Sequence, residues 1–167
     1  QLTYKIWFQE KKKSPLAVIL PGFGGHFTSD TLTAMAELFF SNGCSVLAIS
    51  SAMNWEFMEA AGKHQIPGYV PYDAKDVYDA IRMIFQDIKK RKSLQGFAPR
   101  ILVGYSLGAV HTLFISDIEF KSSSPIFDRF IAINPPVNIN YAMKTLDDFY
   151  SVWKERWEKK DIEKRIN

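Results

Sequence analysis

Cysteine is nearly absent: Cys44 stands alone among 167 residues. That excludes an intramolecular disulfide and any cysteine-rich zinc module, but it leaves the compartment open, because exported proteins also do without disulfides. No apolar run approaches the roughly 18 residues that cross a bilayer. No charge of one sign dominates either. Lys and Arg number 21 against 18 Asp and Glu, a net charge of +3, with acids set among the bases. A nucleic-acid binder would need a phosphate-neutralising stripe that this mixture lacks. Nothing repeats at a period of roughly 20–50 residues and no segment is of low complexity, so solenoids and fibres are out. The chain opens on Gln1 with neither a signal nor a transit pattern. The expectation is that the native N-terminus has been removed, which leaves cytoplasmic and exported locations equally open.

What is present is the balance of a folded domain, 47% hydrophobic, 14% aromatic and 23% charged. A chain of this length buries roughly 70% of its unfolded surface, enough for a core without staples. Short apolar runs alternate with longer helical patterns. Leu2 to Gln9 reads as a strand, and Leu16 to Leu20 as a strand buried on both faces, stopped by Pro21-Gly22. Thr28 or Ser29 opens a helix with Leu32, Met35, Ala36, Phe39 and Phe40 at helical spacing, closed by Asn42-Gly43. Cys44 to Ile49 is the next strand, and Ser50 to Val70 reads as a long irregular stretch. Pro71 and Asp73 open a strong helix with Val77, Ile81, Ile84, Phe85 and Ile88 on one face. Its last turn carries Lys89-Lys90-Arg91-Lys92, expected to be a solvated helix end. Arg100 to Gly104 is a strand, Ser106 to Asp117 a helix, Phe130 to Ile133 a strand, and Tyr141 to Ile166 a helix with Leu146, Phe149, Tyr150, Trp153 and Trp157 on one side. Strand–helix alternation of this kind predicts an α/β fold: a mostly parallel sheet with helices on both faces, whose ligands gather at the carboxyl ends of the strands.

Two glycine-rich turns fall at such ends. Gly104-Tyr105-Ser106-Leu107-Gly108 is G-x-S-x-G between a buried strand and an apolar helix. A serine on a sharp strand-to-helix turn needs small residues two positions either side, because the backbone there approaches its neighbours closely. In return its hydroxyl stands exposed at a helix N-terminus, beside N–H groups able to hold an oxyanion. The second turn is Pro21-Gly22-Phe23-Gly24-Gly25-His26. No Lys-Ser/Thr follows its glycines and no G-x-G-x-x-G is formed, so a phosphate-cradling loop is unsupported.

With these features the sequence resembles the α/β-hydrolase family, from about Leu16 to Pro136. The resemblance implies an α/β-hydrolase core over residues 1–140, incomplete at its C-terminal side, and a helical segment over 141–167 belonging to a cap. It implies Ser106 as nucleophile, the backbone N–H groups of Phe23 and Leu107 as oxyanion donors, and Gly24, His26 and Tyr105 as pocket residues. Where family members often carry histidine before the glycine loop, this chain has Pro21. The implied activity is cleavage of an ester, thioester or amide through an acyl-enzyme, with a small acyl compound as substrate and no cofactor. The aromatic residues Trp55, Phe57, Trp153 and Trp157 hint at an apolar acyl group. No His/Asp/Glu cluster has metal-ligand spacing.

The base and acid are the difficulty. The family order is Ser, then Asp or Glu, then His, yet only His111 follows Ser106. Five residues along one helix, it points some 140° away from the serine and reads as a core residue. His26 lies beside the glycine loop and His64 in the irregular stretch, neither in the family's position for a base. The slot after the sixth strand, where some family members carry the acid, holds Asn134, and Asp147 and Asp148 read as solvated; the usual acid and histidine follow the family's seventh and eighth strands. The expectation is therefore a fragment, with acid and histidine on strands beyond Asn167. The alternative is a non-catalytic binding or scaffold protein on a degenerate hydrolase fold.

Overall fold

The apolar run ahead of Pro21 becomes the middle of a five-stranded sheet. In a computed structural model that describes residues 2–10, 13–64, 66–91 and 97–158 (the last helix by its backbone alone beyond Val152), the strands are β1 (Tyr4–Trp7), β2 (Ser14–Leu20), β3 (Ser45–Ile49), β4 (Phe97–Tyr105) and β5 (Arg129–Ile133). Their spatial order is β1-β3-β2-β4-β5. β2 pairs in parallel with β3 and β4, and β4 with β5, while β1 runs antiparallel along β3. The helices are α1 (Asp30–Ser41), α2 (Trp55–Ala61), α3 (Val70–Arg91), α4 (Leu107–Phe120) and α5 (Ile139–Glu158). The chain divides into two compact units, Gln1–Pro135 and Pro136–Asn167.

Strand side chains alternate between faces, and the core follows that period. Leu16, Val18 and Leu20 of β2, with Leu47, Ile49 and Leu102, pack with Phe57, Val77, Ile81, Ile84, Ile88 and Ile115 of α2, α3 and α4. Ile19, Val46 and Ala48 point the other way, onto Leu32 and Ala36 of α1. Both faces of β2 and β3 are thus covered, which is why these strands read as unbroken apolar runs. At the β5 edge, Ile131 and Ile133 remain 39% exposed.

Three expectations need correction. The stretch from Ser50 to Val70 contains a helix, α2, whose N-cap Asn54 accepts from Glu56 N–H and whose Phe57 and Ala61 are buried. Phe57 is therefore core, 1% exposed, and not substrate-facing, whereas Trp55 is 73% exposed. Phe40, expected on the apolar face of α1, is 38% exposed, because only Leu32 and Ala36 of that helix reach full burial. Lys89 and Lys90 are exposed at the end of α3; Lys92 and the expected helix end at Ile166 lie outside the described residues, as do the side chains of Trp153 and Trp157. In the second unit Asn138 caps α5, its Oδ1 accepting from Tyr141 N–H at 2.9 Å.

One buried carboxylate holds the path into β5. Glu119, 4% exposed near the end of α4, accepts from the backbone N–H of Ile126 at 2.8 Å and of Phe127 at 2.9 Å, and from the hydroxyl of Tyr78 on α3. Burial, and then the bond to Glu119, push the Tyr78 phenol up, so it stays a proton donor. Removing the carboxylate strands three buried donors, each costing about 1–3 kcal/mol. Glu119→Ala should lower the unfolding free energy by at least about 3 kcal/mol and Tyr78→Phe by only about 1. Urea titrations of both variants check this, and a loss below about 1 kcal/mol for Glu119→Ala would refute the assignment.

Candidate active site

β4 ends at Tyr105 and α4 begins at Leu107, leaving Ser106 to make the whole turn. It does so with φ 53° and ψ −122°, a conformation that costs a residue with a Cβ about 1–3 kcal/mol. The geometry shows what demands it. A Cβ on Gly104 would lie 2.1 Å from the carbonyl oxygen of Gly108, and a Cβ on Gly108 would lie 2.4 Å and 2.5 Å from the carbonyl oxygens of Leu20 and Pro21. The first turn of α4 thus rests directly on the ends of β4 and β2. Ser106 N–H donates to Ile133 O at 3.0 Å and its carbonyl accepts from Ala109 N–H at 3.0 Å, tying the turn to β5 and starting the helix. Ser106 is half-buried, and its side-chain oxygen has no hydrogen-bond partner among the described residues. The N–H of Leu107, at the first helical position, likewise has no acceptor among them.

The glycine loop lies against this turn. A Cβ on Gly22 would sit 3.3 Å from Cβ and 3.6 Å from Oγ of Ser106, and 3.2 Å from Cε2 of Tyr105. Gly25 N–H closes a tight turn on Gly22 O at 3.1 Å. Gly24 has φ +66° at the third turn position, where a residue with a side chain would be strained. Phe23 is 55% exposed, and its N–H donates to no acceptor among the described residues. Ser106, Leu107, Tyr105 and residues 22–25 are therefore brought together at the carboxyl ends of β2 and β4.

The three histidines are engaged elsewhere or enclosed. His26 contacts Thr28 Oγ1 through Nδ1 at 2.7 Å and Glu56 Oε2 through Nε2 at 3.1 Å. His64 contacts the buried Asp76 through Nδ1 at 2.8 Å and stacks on Tyr72 at 4.4 Å, beside a pocket of about 100 Å³ that Phe57, Ile66, Asp73 and Asp76 help to line. In the same pocket wall, burial holds the Asp73 carboxyl above its usual range. His111 is 2% exposed with Nε2 unpartnered among the described residues. No histidine bonds Ser106. Asn134 follows Ile133 with φ 48°, a left-handed position that asparagine tolerates better than most residues.

Sequence reasoning missed Asn54 and Glu56, which reach the glycine loop from the start of α2. The signal was a capping asparagine just ahead of a short apolar pattern, hidden in a stretch without helical period.

No family model and no curated protein sequence matches the chain. Among solved structures, it is similar to the ferulic-acid-bound Est1E of Butyrivibrio proteoclasticus, with a TM-score of 0.56 and 18% identity over 80% of this chain and 49% of that one. It is also similar to mouse alpha/beta hydrolase domain-containing protein 10, with a TM-score of 0.45 and 21% identity over 71% of this chain and 40% of that one. The fold is that of the α/β-hydrolases. The chain spans about half the length of the Est1E structure it matches.

Two outcomes follow from this geometry. Gly108→Ala should cost more than about 3 kcal/mol, because its Cβ meets backbone and not a movable side chain. A urea midpoint close to that of the parent chain would contradict the packing. For His111, burial lowers the folded-state pKa from 6.5 to about 4. Between those values the unfolded chain binds a proton that the folded chain refuses. The neutral imidazole is therefore compatible with full stability above about pH 6.5, and stability falls as pH drops toward 4, by up to about 3 kcal/mol. His111→Leu should flatten that part of the urea-midpoint profile, and an unchanged slope would show that His111 does not titrate as described.

Proposed function

We propose that this chain carries the nucleophile of a serine hydrolase that cleaves an ester, thioester or amide through an acyl-enzyme on Ser106. The observation that supports this most is the strained Ser106, its hydroxyl uncommitted at the start of α4 and the glycine loop packed against it. On this reading Ser106 Oγ attacks the substrate carbonyl carbon and its proton passes to a base. Charge builds on the carbonyl oxygen, where the free N–H groups of Phe23 and Leu107 would hold it. The bond to the leaving alcohol, thiol or amine then breaks with return of the proton, and water hydrolyses the acyl-serine. Fixed N–H donors suit the step because they are aimed before charge develops and need no reorientation. A single such donor is worth roughly 10²–10³ in rate.

That His26 and His64 are engaged elsewhere and His111 is enclosed in the core favours a second reading, a binding or scaffold protein on the same fold. A fluorophosphonate probe separates the two. Nucleophilic attack forms the Oγ–P bond, expels fluoride and releases the hydroxyl proton. The expected result is a covalent adduct on the Ser106 peptide by mass spectrometry, absent from Ser106→Ala. Turnover of p-nitrophenyl butyrate by this chain should be slow, since serine proteases stripped of a triad member retain only roughly 10³–10⁴-fold catalysis over water. A full-length protein that the probe leaves unlabelled would establish the non-catalytic reading.

A further inference from the structure

The glycine loop is built from the residue type with the least conformational preference, so something outside it must decide which way its peptide groups turn. Its carbonyl oxygens show what does. Gly22 O accepts from Gly25 N–H at 3.1 Å, and Gly25 O accepts from Ser51 N–H at 2.8 Å. Gly24 O accepts from Nδ2 of Asn54 at 3.2 Å. The other end of the same side-chain amide, Oδ1, accepts from Glu56 N–H at 3.1 Å and caps α2. A backbone N–H only donates and a backbone carbonyl only accepts, so both ends of the Asn54 amide are fixed by their partners. Glu56 adds a contact from Oε2 to His26 Nε2 at 3.1 Å just beyond the loop, with the Glu56 side chain 62% exposed to solvent. Asn54 is therefore the side chain that ties the loop to the body of the protein at its freest residue, Gly24, which has φ +66° and no neighbour that a Cβ would touch.

We infer that Asn54 is a positioning residue for the oxyanion donor of Phe23. By holding the Gly24 carbonyl from the side of α2, it fixes the turn with the Gly22, Gly24 and Gly25 oxygens occupied and leaves Phe23 N–H uncommitted. If that tie were lost, the Gly24–Gly25 peptide could rotate and loosen the Gly25 N–H bond to Gly22 O, whose own peptide carries the Phe23 N–H. The inference rests on the reading of Ser106 as nucleophile, and aspartate at this position isolates it. Asn54→Asp keeps a good N-cap for α2 but replaces the donor to Gly24 with an acceptor that repels its carbonyl. Asn54→Ala removes both bonds.

The test combines backbone amide resonances of Phe23, Gly24 and Gly25, the thermal midpoint, and the two constants of fluorophosphonate labelling at Ser106. For Asn54→Asp the expected result is displaced loop amides, a midpoint within about 2 °C of the parent, and a maximal labelling rate reduced roughly 10- to 100-fold with the half-saturating probe concentration unchanged. Asn54→Ala should show the same loop and rate effects with a lowered midpoint. A purely structural role would lower the midpoint and spare the maximal rate. Loop amides that stay in place in Asn54→Asp, or that move without slowing the labelling, overturn the inference. If the full-length protein is not labelled at all, the hydrolase reading fails by itself and the donor role falls with it, while the loop amides still decide whether Asn54 holds the turn.

Discussion

A contact of backbone on backbone carries the centre of this molecule. The first turn of α4 sits on the last residues of β2 so closely that no atom fits beyond Cα at Gly108, and Gly104 meets the same turn from the side of β4. Ser106 is caught between these two contacts and takes up a conformation costing about 1–3 kcal/mol. The helix that follows supplies the compensation. Val110 and Ile115 are 8% and 0% exposed, with Ala109 at 0%, and burying a Val or Ile side chain contributes about 1.5–3 kcal/mol. Two such residues in the first three turns outweigh the strain, so the serine is held by the helix it begins. Any change that loosens α4 therefore acts on Ser106 without touching it.

The same helix is anchored at its far end by a charge. Glu119 is surrounded by donors and binds the segment leading into β5, and β5 returns its last carbonyl, that of Ile133, to the N–H of Ser106. Helix, connecting segment and strand thus form a closed circuit that begins and ends at the serine. His111, between the two anchors, is treated in the opposite way. Its Nε2 has no partner among the described residues, and it stays buried by giving up its charge. A carboxylate can be kept inside when backbone N–H groups are turned toward it, whereas an imidazole can simply remain neutral near pH 7.

Sequence and structure agree best where one residue's role depends on its immediate neighbours. The runs through Leu16–Leu20, Cys44–Ile49 and Arg100–Gly104 announce buried strands because both faces of the central sheet are covered. The glycines flanking Ser106 announce a tight turn because their spacing is set by local geometry. What was not legible depended on contacts far along the chain. The helix at Trp55–Ala61 is only seven residues long, too short for an apolar period to stand out. Its stability comes from Phe57 and Ala61 entering a core assembled by other elements. Glu119 could not be distinguished from a surface acid, since its donors at Ile126 and Phe127 reach it only through the fold. Asn134 looked like a vacant acid position, but its positive φ gives the asparagine a backbone reason of its own.

The two N–H groups proposed as oxyanion donors differ in the same way. That of Leu107 is free because it belongs to the first residue of a helix, a condition that the five residues around Ser106 set by themselves. That of Phe23 lies in a glycine turn whose orientation is held by Asn54, 30 positions beyond the Gly24 carbonyl it binds. A pattern such as G-x-S-x-G can therefore announce one donor and never the other. It also follows that the two donors have different tolerances. The Leu107 amide survives as long as α4 does, while the Phe23 amide can be misplaced with every core residue intact. On the proposed reading, the precision of the site is limited by its weakest positioned part, which is the glycine turn and not the strained serine.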